Sequence, residues 1–153
     1  MRLDKVAALL TVFSAILVGT MALNSCSGEN GLKEARIPDQ VSYNFHIRPI
    51  LSDNCFACHG PDANKREAGL RLDNQAGAYA ALKESPDKHA IVPGNSNKSA
   101  VVNRIFAEEP TEKMPPPESN LAITDYERQL IKKWIDQGGV YEKHWAFDPP
   151  KKD

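Results

Sequence analysis

The chain has 153 residues, the size of one small domain with appendages, and its charges nearly cancel: 19 Lys and Arg against 20 Asp and Glu, a formal net charge of −1. With no run of Lys or Arg, that balance supplies no basic field, so nucleic-acid binding is excluded from the expected roles. Cysteine use is sparse and uneven, with Cys55 and Cys58 as a pair and Cys26 alone near the start.

The first 26 residues read MRLDKVAALLTVFSAILVGTMALNSC. Arg2 and Lys5 give a positive start and Val6 to Leu23 an apolar run, the pattern of an export signal. Leu23-Asn24-Ser25-Cys26 resembles the box at which a bacterial lipoprotein is cut before its lipidated cysteine. Residues 1–25 are therefore expected to be a lipoprotein-type signal peptide and Cys26 the lipidation site, with an uncleaved anchor or ordinary cleavage as alternatives. Each of the three sends the remainder outside the cytoplasm. The expected location is the periplasmic side of the cell envelope, held to a membrane by the lipid. Residues 26–40 are polar, with two glycines and little periodicity, and read as a flexible tether. The folded domain is expected over residues 41–150.

Ser42 can cap a first helix running to about Asn54, with Phe45, Ile47, Ile50 and Leu51 as its apolar set. Pro49 fits only in the first true turn, which moves the start toward His46. That helix delivers the chain into Cys55-Phe56-Ala57-Cys58-His59. Structural zinc needs four ligands; no further cysteine follows, and His46, His89 and His144 are scattered. A dithiol oxidoreductase would place the pair in a strand-helix-strand unit, and no such pattern surrounds it. A plain disulfide leaves His59 without a reason. The C-x-x-C-H spacing instead suits covalent haem c, one per chain: each thiol adds across a vinyl group, and the adjacent imidazole sits under the iron.

Gln75 to Glu84 is the next helix expected, followed by Lys98 to Ala107, with Val101, Val102, Ile105 and Phe106 apolar and Pro110 stopping it. Glu112-Lys113-Met114-Pro115-Pro116-Pro117 then offers a sixth iron ligand. Met114 is the only methionine beyond Met21, and the proline run behind it is stiff and extended. His46 is the alternative ligand, and a gap-filling loop methionine the bland one. His/Met ligation favours the reduced iron and raises the potential relative to bis-histidine ligation. The last helix is the clearest: Thr124 to Glu127 fits a capping box, Tyr126, Leu130, Ile131, Trp134 and Ile135 recur at helical spacing, and Gly138-Gly139 ends the run. No strand pattern is sustained, so the expected fold class is all-α, with three to four short helices around the covalently attached haem.

The strings from His46 to Asp62, Gly69-Leu-Arg-Leu-Asp, Ala90-Ile-Val-Pro-Gly, Lys113 to Pro117 and His144-Trp-Ala-Phe together resemble the planctomycete-type cytochrome c domain. The resemblance covers residues 41 to 150 and implies a class I cytochrome c fold, with the first and last helices crossing near Phe45 and Trp134. It implies Cys55 and Cys58 as covalent anchors, His59 as proximal ligand and Met114 as distal ligand. Members of that family usually carry the module at the front of larger exported proteins.

Single-electron transfer to redox partner proteins is the leading functional expectation, with no catalytic residues. Arg48, Arg66 and Arg71 are available to pair with haem propionates, ordinary solvated charge being their bland reading. A haem sensor or ligand-binding module is the alternative and needs an easily displaced Met114. An enzyme such as a peroxidase needs an open iron and a distal acid-base group, for which only Glu112 and Glu118 stand near.

Overall fold

A computed structural model of the chain describes residues 36–143. Cys26, the expected signal peptide, most of the expected tether and His144 with the Trp-Ala-Phe stretch after it lie outside the described residues.

Ser42 begins the first helical segment, as its position suggested, and its hydroxyl accepts from the Phe45 N–H at 3.4 Å. The segment opens as a single π turn, Tyr43–Ile47, and continues as the α-helix Arg48–Asn54 (α1). Pro49 is the reason for two parts. Its nitrogen carries no hydrogen for the Phe45 carbonyl and its ring would crowd that oxygen. A wider turn relieves both, and the Arg48 N–H bonds the Tyr43 carbonyl five residues back.

The wide turn also changes which side chain faces inward. Tyr43 is buried while Phe45 is 75% exposed, so Phe45 is not the contact to the last helix that the family resemblance implied. Tyr43 makes that contact, with its ring centroid 5.7 Å from that of Trp134.

After Cys55 a four-residue helix, Phe56–His59 (α2), carries the rest of the cysteine motif. The next helix, Gln75–Tyr79 (α3), starts where expected and ends five residues early. The chain then forms an antiparallel hairpin of Ala81–Leu82 (β1) and Ser85–His89 (β2), so the described fold is helical with one small two-stranded sheet rather than all-α. Two tertiary bonds account for the early stop: the Ala78 carbonyl accepts from the Ile91 N–H at 3.0 Å, and the Tyr79 carbonyl lies 2.8 Å from His89 Nδ1. Helical propensity in Ala80 to Glu84 yields to those partners.

The expected Lys98 to Ala107 helix is divided into a 3₁₀ turn, Ser96–Lys98, and the α-helix Ala100–Ile105 (α4). Ser99 separates them. It is fully buried, its hydroxyl accepting from the Val92 N–H at 2.9 Å and donating to the Asn95 carbonyl at 2.9 Å. The last helix, Asp125–Asp136 (α5), has the expected capping box, with Thr124 and Glu127 bonding reciprocally. Beyond its end, Gly138 and Gly139 take positive φ of 111° and 61°, a conformation that glycine adopts without steric penalty.

One core joins these pieces. Ile47, Ile50 and Leu51 from the first segment meet Leu130, Ile131, Trp134 and Ile135 of α5, with Val102 and Ile105 of α4 and Ile91 filling between them. Tyr43, Tyr141 and Trp134 stack together at one end, and Tyr141 donates to the Leu72 carbonyl at 3.0 Å. The two ends of the domain are tied to each other. The Glu142 carboxylate accepts from the Tyr43 and Asn44 N–H groups and from the Ser42 hydroxyl. Ile37 packs on the core and the Asp39 carbonyl accepts from Gln137 Nε2, so the last residues before Val41 are already attached. No helix among the described residues is long and apolar enough to cross a membrane.

Candidate functional site

The α1 helix aims the cysteine motif. Leu51 and Ile50 bury one face of α1, and Cys55 follows in the same direction, buried with 9% of its surface accessible. Cys58 lies one helical turn on and is exposed. Both thiols are unpaired, so this structure has no disulfide between them. Burial, with a smaller contribution from neighbouring Cys58, pushes the Cys55 thiol up to about 12 and keeps it protonated.

The loop after His59 folds back and clamps the motif. The Glu67 N–H donates to the Cys58 carbonyl and the Leu72 N–H to the His59 carbonyl, each at 2.8 Å. Arg66 reinforces the clamp, donating Nε to the Gly60 carbonyl at 3.1 Å and Nη2 to the Pro61 carbonyl at 2.8 Å. Gly60 is required by this close approach. A Cβ there would lie 2.2 Å from the Phe56 carbonyl oxygen.

His59 is half-buried, and desolvation lowers its pKa; the Glu67 main chain and carboxylate beside the ring offset part of that shift. Nδ1 is sealed in the protein without a hydrogen-bond partner among the described residues. Nε2 is neither sealed nor hydrogen-bonded there, which leaves it as the nitrogen able to bind an electrophilic metal. A neutral imidazole with one open nitrogen, beside two unpaired thiols at a two-residue gap, is the donor set that haem c requires. The residues present fit the group.

Met114 stands on a separate loop after α4. Its N–H donates to the Arg104 carbonyl at 3.0 Å, and the Arg104 guanidinium holds Glu112 through both its carbonyl and its carboxylate. The Met114 side chain is 37% exposed and lines an open cavity with Leu121 and Ile123. Among the described residues it is not part of the packed core, and no hydrogen bond joins its loop to α2. His46 points elsewhere: its Nδ1 accepts from the Ser42 N–H at 2.9 Å, which spends that nitrogen on the helix start. His89 is likewise engaged with the Tyr79 carbonyl. No group of three or more His, Cys, Asp or Glu that could hold a metal ion occurs among the described residues.

Residues 55–118 match the model of the family described as Planctomycete cytochrome C. That stretch is similar to a planctomycete-type cytochrome c domain. The match begins at Cys55 and ends just past the proline run, so it contains the cysteine motif, the clamp loop, the hairpin, α4 and the Met114 loop. Neither a curated protein nor a solved structure matches the chain. Cytochrome c domains of the matched kind are haem proteins that typically carry electrons.

Two residues that hold the domain together carry no sequence signal of that role. Ser99 precedes Ala-Val-Val, an ordinary cap pattern that says nothing of its buried bonds to Val92 and Asn95. Glu142 lies in a stretch with no periodicity to mark it.

Proposed function

We propose that this protein is an exported, lipid-anchored c-type cytochrome that transfers single electrons through one covalently held haem. In this reading Cys55 and Cys58 are the thioether anchors, His59 Nε2 the proximal ligand and Met114 the distal ligand. The bound haem would supply a ferrous–ferric couple at a fixed coordination number. The observation that carries the proposal is the clamped turn at Cys55 and α2, in which two free thiols precede a half-buried imidazole whose open nitrogen is Nε2.

The protein's own part is positional. The 60–72 loop fixes α2 from one side, and Gly60 lets the chain leave the motif without striking Phe56. Leu51 and Ile50 close the side facing the core and keep water from the inner thiol. Arg104 holds the Met114 loop through the main chain, leaving the thioether free to turn toward a ligand. A thioether is a soft, neutral donor, so it stabilises ferrous iron and raises the potential. Export and the lipid at Cys26 rest on the sequence of residues 1–26. Redox partner proteins would meet this domain at a membrane surface.

Reductive titration of the purified protein tests the ligand assignment. Met114→Ala should keep the haem covalently attached while its midpoint potential falls well below that of the unsubstituted protein. An unchanged potential and spectrum would remove Met114 from the iron and favour the ligand-binding module, for which carbon monoxide uptake by the reduced native protein is the corresponding test.

A further inference from the structure

The sequence offers Arg48, Arg66 and Arg71 as partners for haem propionates, and the structure commits two of them elsewhere. Arg71 grips both oxygens of Asp73, with Nε at 2.9 Å from Oδ1. Arg66 turns to the cysteine motif. Four main-chain carbonyls in succession, those of Cys58, His59, Gly60 and Pro61, accept hydrogen bonds from the stretch 66–72. The Glu67 N–H serves the first and the Leu72 N–H the second, each at 2.8 Å. Arg66 serves the other two by itself, with Nε 3.1 Å from the Gly60 oxygen and Nη2 2.8 Å from that of Pro61.

Gly60 is where such a hold matters. The residue after His59 has to be glycine, because a Cβ there would lie 2.2 Å from the Phe56 carbonyl oxygen. Glycine is also the residue with the greatest backbone freedom. The chain therefore leaves the imidazole-bearing residue through a loose joint, and α2, with four residues, is too short to be rigid through its own hydrogen bonds. Arg66 removes that freedom. A planar guanidinium with its donors in a fixed fork holds both carbonyls in one direction. Pro61, whose ring sets its φ, carries the restraint back to Gly60. The loop that supplies the donors is itself closely set, with Ala68 and Gly69 in succession at positive φ of 49° and 63°. A left-handed alanine persists only where its surroundings over-determine it.

We infer that Arg66 is a positioning residue for the iron site: by fixing Gly60 and Pro61 it sets the direction in which His59 presents Nε2. The inference rests on the haem proposal above and adds a residue to it. Groups behind a metal ligand orient that ligand and tune the metal without touching it. Here the restraint reaches the ligand through the main chain, since the His59 carbonyl and the two carbonyls after it are held by the same loop. Releasing the joint widens the range of angles open to the imidazole plane and so alters the axial field at the iron.

The test uses the haem-loaded protein, with haem content first fixed by pyridine haemochrome absorbance. Electron paramagnetic resonance of the frozen ferric protein reads the orientation of the axial ligands through its g values. Arg66→Gln, which removes the fork, should shift them from the native positions. Arg66→Lys keeps the charge but loses the two-point hold, so its g values should be shifted as well. Glu142→Ala loosens the start of the first helical segment and leaves the motif alone, so it should keep the native g values. Native g values in both Arg66 variants at equal haem content would overturn the assignment. Native values in Arg66→Lys alone would overturn it too, because charge would then suffice without the fork. A shift in Glu142→Ala as large as that in Arg66→Gln would reduce the signal to a general loss of stability and overturn it equally. If Arg66→Gln does not accumulate, Arg66→Lys decides by the same criterion. A native protein that purifies without haem would remove the haem proposal itself, an outcome distinct from loaded proteins whose spectra coincide.

Discussion

Ser99→Ala is the sharpest test of how α4, and with it the Met114 loop, is held. The native hydroxyl is fully buried and links three stretches of chain, accepting from the Val92 N–H and donating to the Asn95 carbonyl at 2.9 Å each. Alanine fits the space but removes the acceptor. The Asn95 carbonyl keeps its bond from the Lys98 N–H, so the net loss is one buried donor, that of Val92. An orphaned buried N–H costs about 1–3 kcal/mol, and about 2 kcal/mol is expected here. For a domain of this size that is a fall of roughly 8–16 °C in the unfolding midpoint. Urea denaturation followed by far-ultraviolet circular dichroism measures it, and the slope against denaturant should stay unchanged. Ser52→Ala is the control, since Ser52 is exposed on α1 and its hydroxyl makes no hydrogen bond among the described residues; it should move stability by less than about 0.5 kcal/mol. A Ser99→Ala protein indistinguishable from that control would refute the argument that this hydroxyl pins the Ala90 to Lys98 loop to α4.

Gly60→Ala places a Cβ 2.2 Å from the Phe56 carbonyl oxygen, so α2 must shift; a loss of about 1–3 kcal/mol and a lower haem yield per chain are expected, read by urea unfolding and haem absorbance. Glu142→Ala removes the acceptor shared by Ser42, Tyr43 and Asn44 and should cost about 1 kcal/mol, comparable to losing a helix cap. Tyr43 is raised to about 12, chiefly by burial and against a small lowering from Arg48, so the fold favours its neutral form. The resulting stability is complete below the unfolded value of 10.0 and is lost as pH climbs toward 12. Urea midpoints across that window should decline less steeply in Tyr43→Phe than in the native protein, and equal slopes would contradict the burial argument.

Local chemistry was legible wherever neighbours in sequence decide the outcome. The Thr124 capping box, the apolar stripe of α5 and the stop at Gly138-Gly139 depend on residues within one or two turns, and the structure has them as read. The cysteine motif is equally local: spacing alone implies the donor set, and Cys55 caps the short helix α2 that carries Cys58 and His59. Reading failed where distant partners intervene. Ala80 to Glu84 has helical propensity, but Ile91 and His89 compete for the carbonyls of Ala78 and Tyr79 and leave room for a hairpin. Phe45 looked like core because a uniform helix was assumed; the wide turn forced by Pro49 rotates Tyr43 inward in its place.

Covalent haem is the claim on which electron transfer and axial ligation both depend. It is tested most directly by intact-mass and pyridine haemochrome measurement on protein exported in cells with a complete cytochrome c maturation system. One haem per chain is predicted, retained after denaturation and lost as a covalent adduct in the Cys55→Ala/Cys58→Ala double variant. A colourless native protein of unmodified polypeptide mass, or one in which Cys55 and Cys58 are joined to each other, would contradict the account.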